Sequence, residues 1–277
     1  LHLKGITYSY EDASECTLDK VSVTFPEGWT GLIGDNGCGK TTLALVIAGK
    51  IKAHAGSFAP ALFTAYCPQD TSIAPDNLAD FASDWSPGAM RIRNTLMIDD
   101  AWLWDYDHLS GGQKKRMQIA CALGTHPDVL ILDEPTNDVD SPTRNALLES
   151  LRSFKGIGIL ISHDRALLDA LVGQCAIFEE GRVNIHPGGY TKVMNQLRQD
   201  RSAQMRSHKN ARKEEQRLQA EAERRNREAA RSTKRLSAKH LDKQDSDSRE
   251  KLGRAKVSSK DAIAGRAAKS MESRMVR

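Results

Sequence analysis

Two short stretches carry the residue types that phosphate chemistry requires. Residues 34–42, GDNGCGKTT, set three glycines, a lysine and two threonines between a strand-like run, WTGLIG, and a helix-like one, TTLALVIAG. A loop of this build turns successive backbone N–H groups toward a phosphate, reinforced by the N-terminus of the helix it opens. Gly34, Asn36, Gly37, Cys38 and Gly39 would form the cradle, with Cys38 as a spacer. Lys40 would reach the β- and γ-oxygens, Thr41 would offer its hydroxyl to Mg2+, and Thr42 would follow in the first helical turn. Residues 128–135, DVLILDEP, supply the complement. Four apolar residues bury a strand, and Asp133 and Glu134 emerge at its carboxyl end, where open α/β sheets place ligands. Asp133 suits a magnesium ion held through its water shell. Glu134 suits a general base that takes a proton from an attacking water.

A second phosphate-gripping loop lies further along. In LSGGQKKR, residues 109–116, Ser110, Gly111, Gly112 and Gln113 run into a basic helix. Two such loops in one domain raise the question of whose phosphate the second one holds.

The elements that must position these groups alternate between strand and helix. LHLKGITYSY and KVSVTF show period-two alternation and predict antiparallel strands, and ALFTAYCPQ predicts a further strand. Residues 70–108 mix Pro, Asp and Trp in an irregular helical pattern, a small subdomain. KKRMQIACALGTH predicts a helix, SPTRNALLESLRSF a helix capped by Ser141, and GIGILISHD another buried strand. Near-continuous apolar strands alternating with helices predict a parallel α/β core covered on both faces.

Bulk properties narrow the class. The 277 residues suffice for one large domain and something smaller, with 39% hydrophobic and 27% charged residues. No run of apolar residues is long enough to span a membrane. The N-terminus lacks the basic start and apolar stretch of a signal peptide. The five cysteines are scattered and without C-x-x-C spacing, which predicts free thiols and a cytoplasmic location. The net charge of +4 hides a split: residues 190–277 hold 25 Lys+Arg against 12 Asp+Glu, and residues 1–189 hold 15 against 24. An acidic body with a basic appendage predicts a polyanionic partner for the appendage.

Within that appendage Leu197, Ala211, Leu218, Ala229 and Leu236 form a narrow apolar seam. Glu221–Arg225 and Glu223–Arg227 are i,i+4 pairs in the favourable order. KHLDKQDSDS (239–248) breaks the pattern, and Ile263, Ala267 and Met271 mark a second stripe. The expected form is a helical hairpin arm over 190–277, following a cassette over 1–189.

The ordered set of P-loop, LSGGQ, LILDEP and SHD resembles an ATP-binding cassette (ABC) domain, a P-loop NTPase with an α/β core, an antiparallel β subdomain and a small helical subdomain. The resemblance implies ATP and Mg2+ as ligands. It implies that Tyr10 stacks on adenine, with Tyr8 as its rival, and that Gln69 in YCPQD contacts Mg2+ and the water. It implies that His163 in ISHD touches the γ-phosphate and that Asp140 communicates across a dimer. In this family two cassettes face each other head to tail, so Ser110, Gly111 and Gly112 would close over a partner's ATP. One cassette alone would be a poor ATPase.

Three details resemble the ABC-F subfamily of ribosome-associated proteins: DEPTNDVD, though Asp138 and Val139 stand where that group usually has His and Leu; the stretches SHDRALLD and GGYTKV; and the long basic segment after the cassette. The resemblance implies action on the ribosome as a translation factor or antibiotic-resistance protein, the arm contacting rRNA and tRNA. A membrane-transporter subunit and a DNA-repair-type cassette are the alternatives. With one P-loop, one signature and no initiating Met, the chain reads as the first half of a tandem protein or as a self-pairing cassette.

Overall fold

A computed structural model describes residues 1–11, 16–136, 139–179 and 182–235. Two strands open the chain, β1 (His2–Tyr8) and β2 (Leu18–Thr24), paired antiparallel as their alternation predicts. β3 (Gly28–Ile33) leads through the glycine loop into α1 (Lys40–Ile47). β4 (Ala55–Ala59) then pairs antiparallel with β1, completing a three-stranded sheet in the order β2-β1-β4. Every residue of β4 is exposed, so no apolar alternation marks it in the sequence.

The helical subdomain follows β5 (Thr64–Cys67). It comprises α2 (Leu78–Ser83), α3 (Pro87–Thr95), two 3-10 turns at Asp100–Trp104 and Tyr106–His108, and α4 (Gly111–Gly124). β6 (Val129–Asp133), α5 (Ser141–Arg152), β7 (Ile157–Ile161), α6 (Arg165–Leu171), β8 (Gln174–Glu179) and β9 (Arg182–Pro187) complete the core, and α7 (Tyr190–Arg235) ends the described chain. The cap of α5 differs from expectation. Asp140 accepts from the Thr143 N–H at 3.1 Å, so the N-cap lies one residue before Ser141.

The second sheet has the order β5-β6-β7-β3-β8-β9, parallel throughout except for the β8–β9 pair. Every residue of β6 and β7 is buried, as central strands covered on both faces must be. Their alternation divides the interior in two. Val129 and Ile131 join α1 and the small sheet in one apolar cluster, whereas Leu130 and Leu132 join α4, α5 and α6 in the other. Gly158 is required by this packing, since a Cβ there would stand 2.3 Å from the Trp29 ring. The indole N–H of Trp29 donates to the Leu151 carbonyl at 3.0 Å, so the buried ring leaves no polar atom unpaired.

All five cysteines are unpaired. Burial pushes the thiols of Cys67 and Cys121 up to about 12, which keeps them protonated and unreactive.

Contacts divide the chain into Leu1–Leu197 and Arg198–Arg277. The first turns of α7 belong to the first unit because Val193 is buried, and Tyr190, Met194 and Leu197 pack against the core. In the second unit the expected pairs form, Arg225 to Glu221 at 2.8 Å and Arg227 to Glu223 at 2.9 Å. Leu218, Glu221, Ala222, Arg225 and Ala229 are partly buried on one stripe, whereas Ala211 is exposed, and Leu236 lies outside the described residues. The polar break, the second stripe and the hairpin they would form lie outside the described residues. Among the described residues no helix is long and apolar enough to cross a membrane.

Candidate functional site

The glycine loop leaves β3 at the point where the chain's crossovers diverge to the two sides of that strand, the usual crevice of an open α/β sheet. Gly37 and Gly39 have φ of 81° and 102°, a region L-residues rarely adopt. A Cβ on Gly39 would also sit 2.9 Å from the Thr17 carbonyl oxygen, so a side chain there is excluded twice over. Lys40, first in α1, curls back over the loop: its ammonium donates to the Gly34 carbonyl at 2.9 Å and the Asp35 carbonyl at 2.8 Å.

Two motifs far apart in sequence meet at Asp133. Its Oδ2 accepts from the Thr41 hydroxyl at 2.9 Å and from the Tyr66 hydroxyl at 3.2 Å. Burial, and then the Asp133 charge, push the Tyr66 hydroxyl well above its ordinary range, so it stays a donor. Tyr66 was not singled out by the motifs. Its position in YCPQD, three residues before Gln69, is the only signal for it.

Glu134 follows β6 with φ of 46°, an uncommon conformation for a residue with a side chain. Its own N–H donates to the Ile161 carbonyl at 2.8 Å, which ties the turn to β7. The carboxylate accepts from the His163 N–H at 3.2 Å and lies 3.5 Å from His163 Nε2. Burial pushes the Glu134 carboxyl above its ordinary value, an effect that the His163 contacts oppose without cancelling. A raised carboxyl beside a half-free imidazole is an arrangement that can accept a proton from water.

These groups line one cleft of ≈ 620 Å³, which Tyr10, Asn36, Gln69 and Thr42 also border. Of the two aromatic candidates, Tyr10 is exposed on the cleft, its hydroxyl 3.2 Å from Thr42 Oγ1. Tyr8 is engaged in packing, stacked on His54 at 5.1 Å. Lys40, the glycine cradle and Tyr10 could hold a nucleotide, and Thr41, Asp133 and Gln69 could hold a magnesium ion. The paired hydroxyl and carboxylate are the oxygen ligands that hard cation prefers.

Several expected residues are elsewhere. Gly34 and Cys38 pack on each other and on Phe178 behind the cleft: a Cβ on Gly34 would lie 2.7 Å from Cys38 Sγ and 2.8 Å from Phe178 Cβ. Ser110 and Gln113 form a capping box at the head of α4, with Gln113 Oε1 accepting from the Ser110 N–H at 2.7 Å. Ser110 and Gly111 are exposed, and none of residues 110–113 borders the cleft. Asp140 caps α5, and its bonds from Thr143 hold its carboxyl below the usual range. Asn137 and Asp138 lie outside the described residues. Two residues that the motifs did not indicate are Lys115 and Gln118, which are buried on the inner face of α4 although Lys115 belongs to a run read as basic.

Residues 18–137 match the family model described as ABC transporter. A Uup-like ATP-binding protein of Haemophilus influenzae is 33% identical over 204 residues, covering 68% of this chain and 44% of that protein. The energy-dependent translational throttle protein EttA of Escherichia coli K12 is 31% identical over 208 residues, covering 69% of this chain and 37% of that protein. The chain therefore spans less than half the length of these curated relatives. Among solved structures, a dimeric ATP-binding cassette in a post-hydrolysis state with ADP and Pi aligns at a TM-score of 0.55 and 19% identity. That alignment covers 67% of this chain and 97% of that one, which is a likeness of fold.

Proposed function

We propose, because this chain belongs to the ABC-F group of ATP-binding cassette ATPases, that the cleft binds and hydrolyses ATP and that closure on a second cassette governs engagement with a ribosome. The observation that carries the reading is the convergence of Lys40, Thr41, Gln69, Asp133, Glu134 and His163 on one cleft beside an exposed tyrosine.

In this reading the loop N–H groups of Asn36, Gly37 and Gly39 and the head of α1 cradle the phosphates, with Gly34 and Cys38 supporting the loop from behind. Lys40 exchanges its two carbonyl partners for β/γ-oxygens. Tyr10 stacks on the adenine. Thr41, Asp133 and Gln69 hold Mg2+, which when bound neutralises charge on the phosphate oxygens. Glu134 takes the proton of a water as its oxygen bonds to the γ-phosphorus, and the bond from that phosphorus to the bridging oxygen breaks, releasing ADP and phosphate. His163, held against Glu134, reaches the γ-phosphate side. Ser110, Gly111, Gly112 and Gln113, which lie away from this cleft with Ser110 and Gly111 exposed, serve the nucleotide of a facing cassette, either a second one in the same protein or another copy.

The ribosome reading is supported by the basic segment 190–277 and by a relative whose name places it in translation. Arginine and lysine on a helix can track RNA phosphates, with an affinity that falls steeply as salt rises. Free thiols and residues suited to Mg-ATP agree with a cytoplasmic site of action. Co-sedimentation of the full protein carrying Glu134→Gln with ribosomes, with and without ATP, tests it. ATP-dependent, salt-sensitive pelleting is expected. A folded, ATP-binding protein that stays in the supernatant under both conditions would sink the ribosomal reading.

A further inference from the structure

The loop that carries Gln69 into the cleft is held from behind by α4. Lys115 is 2% exposed, and its ammonium donates to the Pro68 carbonyl at 2.6 Å, the Gln69 carbonyl at 3.1 Å and Gln118 Oε1 at 3.2 Å. Gln118, one helical turn on, donates through Nε2 to the Asp70 carbonyl at 2.9 Å. Its own backbone carbonyl receives the Cys67 thiol at 3.6 Å. Three successive loop carbonyls, at residues 68, 69 and 70, are thus bonded by two side chains of one helix face.

Lysine is a costly way to fill this place. A buried ammonium bonded only to neutral oxygens gives up its hydration without a carboxylate in contact. Burial accordingly lowers the Lys115 ammonium from its ordinary value, against the pull of the more distant Asp133, Asp70 and Glu134 charges. An apolar side chain would fill the volume but leave three acceptors unpaired and the loop free to shift. The gain from lysine is therefore the position of the loop, and the one side chain of that loop on the cleft is Gln69.

We infer that Lys115 and Gln118 are positioning residues for hydrolysis: they fix residues 68–70 against α4 so that Gln69 meets the metal and water in the cleft. The inference rests on the proposed ATPase reading of that cleft. Neither residue touches the cleft groups that would bind phosphate, so their loss slows turnover and leaves ATP binding in place.

The test is a double-mutant cycle in the full protein, measuring kcat, equilibrium ATP binding and the Mg2+ dependence of turnover. Lys115→Met is expected to lower kcat about tenfold or more, to leave ATP affinity within about twofold, and to raise the Mg2+ concentration needed. Gln118→Ala, which removes the bonds to Lys115 and to the Asp70 carbonyl but leaves the Lys115 ammonium on the carbonyls of residues 68 and 69, is expected to show the same pattern at smaller size and serves if the first variant misfolds. In the Gln69→Ala background either change is expected to cost nothing more. If Gln69→Ala is slow and the second change multiplies its loss, the inference falls and the site reading stands. Turnover at the normal rate in Gln69→Ala would overturn both.

Discussion

Glu134 and His163 are joined twice, through the His163 N–H at 3.2 Å from one carboxylate oxygen and through Nε2 at 3.5 Å from the other. The carboxylate is therefore aimed by the turn after β7 as well as by the end of its own strand. Its folded value is raised above the ordinary 4.5, so the folded chain binds a proton at higher pH than the unfolded chain does. The charged carboxylate costs stability at neutral pH, and the cost vanishes as pH falls through the folded value to below 4.5. Glu134→Gln is expected to raise Tm at pH 7, with a gain that shrinks on acidification. Melting curves at several pH values check this, and an unchanged or lower Tm at pH 7 contradicts it.

Lys40 bonds two carbonyls of its own loop, contacts that water can replace. Lys40→Met should melt close to the parent without nucleotide. A lost charge-assisted bond is worth about 1.5–3 kcal/mol, so ATP should bind at least about tenfold more weakly. The ATP-induced rise in Tm, which follows affinity by mass action, should largely disappear.

Tyr10 packs edge-to-face with Tyr8 at 5.0 Å and lines the cleft. Tyr10→Ala should weaken ATP binding by about 1–3 kcal/mol, the range of base–aromatic stacking. Tyr10→Phe, which keeps the ring and loses only the contact to Thr42, should retain most of the affinity. Equal losses in both variants would point to the hydroxyl instead.

Gly158 faces Trp29 inside the parallel sheet, away from the cleft. Gly158→Ala forces the indole or the strand to move and should cost about 1–3 kcal/mol of stability by overpacking. Denaturant unfolding measures it, and a loss under about 0.5 kcal/mol would mean the ring has room to yield.

The parts of this molecule that were legible in the sequence are those whose chemistry is local. Loop glycines, the apolar runs of β6 and β7, and the acids at the end of β6 announce themselves by composition alone. β4 is fully exposed and carries no alternation, and β8 and β9 are defined by pairing with each other and with β3. Two adjacent capping residues, Asp140 and Ser141, are indistinguishable by type, and only the bond from Thr143 selects Asp140. Lys115 and Gln118 were hidden for a related reason. Their partners are the carbonyls of a loop more than forty residues earlier, and a lysine inside KKR reads as surface charge until the helix is docked.

An ATP site in which Glu134 is the base must lose turnover and keep nucleotide when that carboxylate becomes an amide. Equilibrium ATP binding and steady-state hydrolysis by the full protein, compared with Glu134→Gln, test it most directly. ATP affinity is expected within a few-fold of the parent and turnover lower by about 10²–10⁴, the usual contribution of a positioned base. Near-normal turnover in Glu134→Gln with ATP still bound would contradict it.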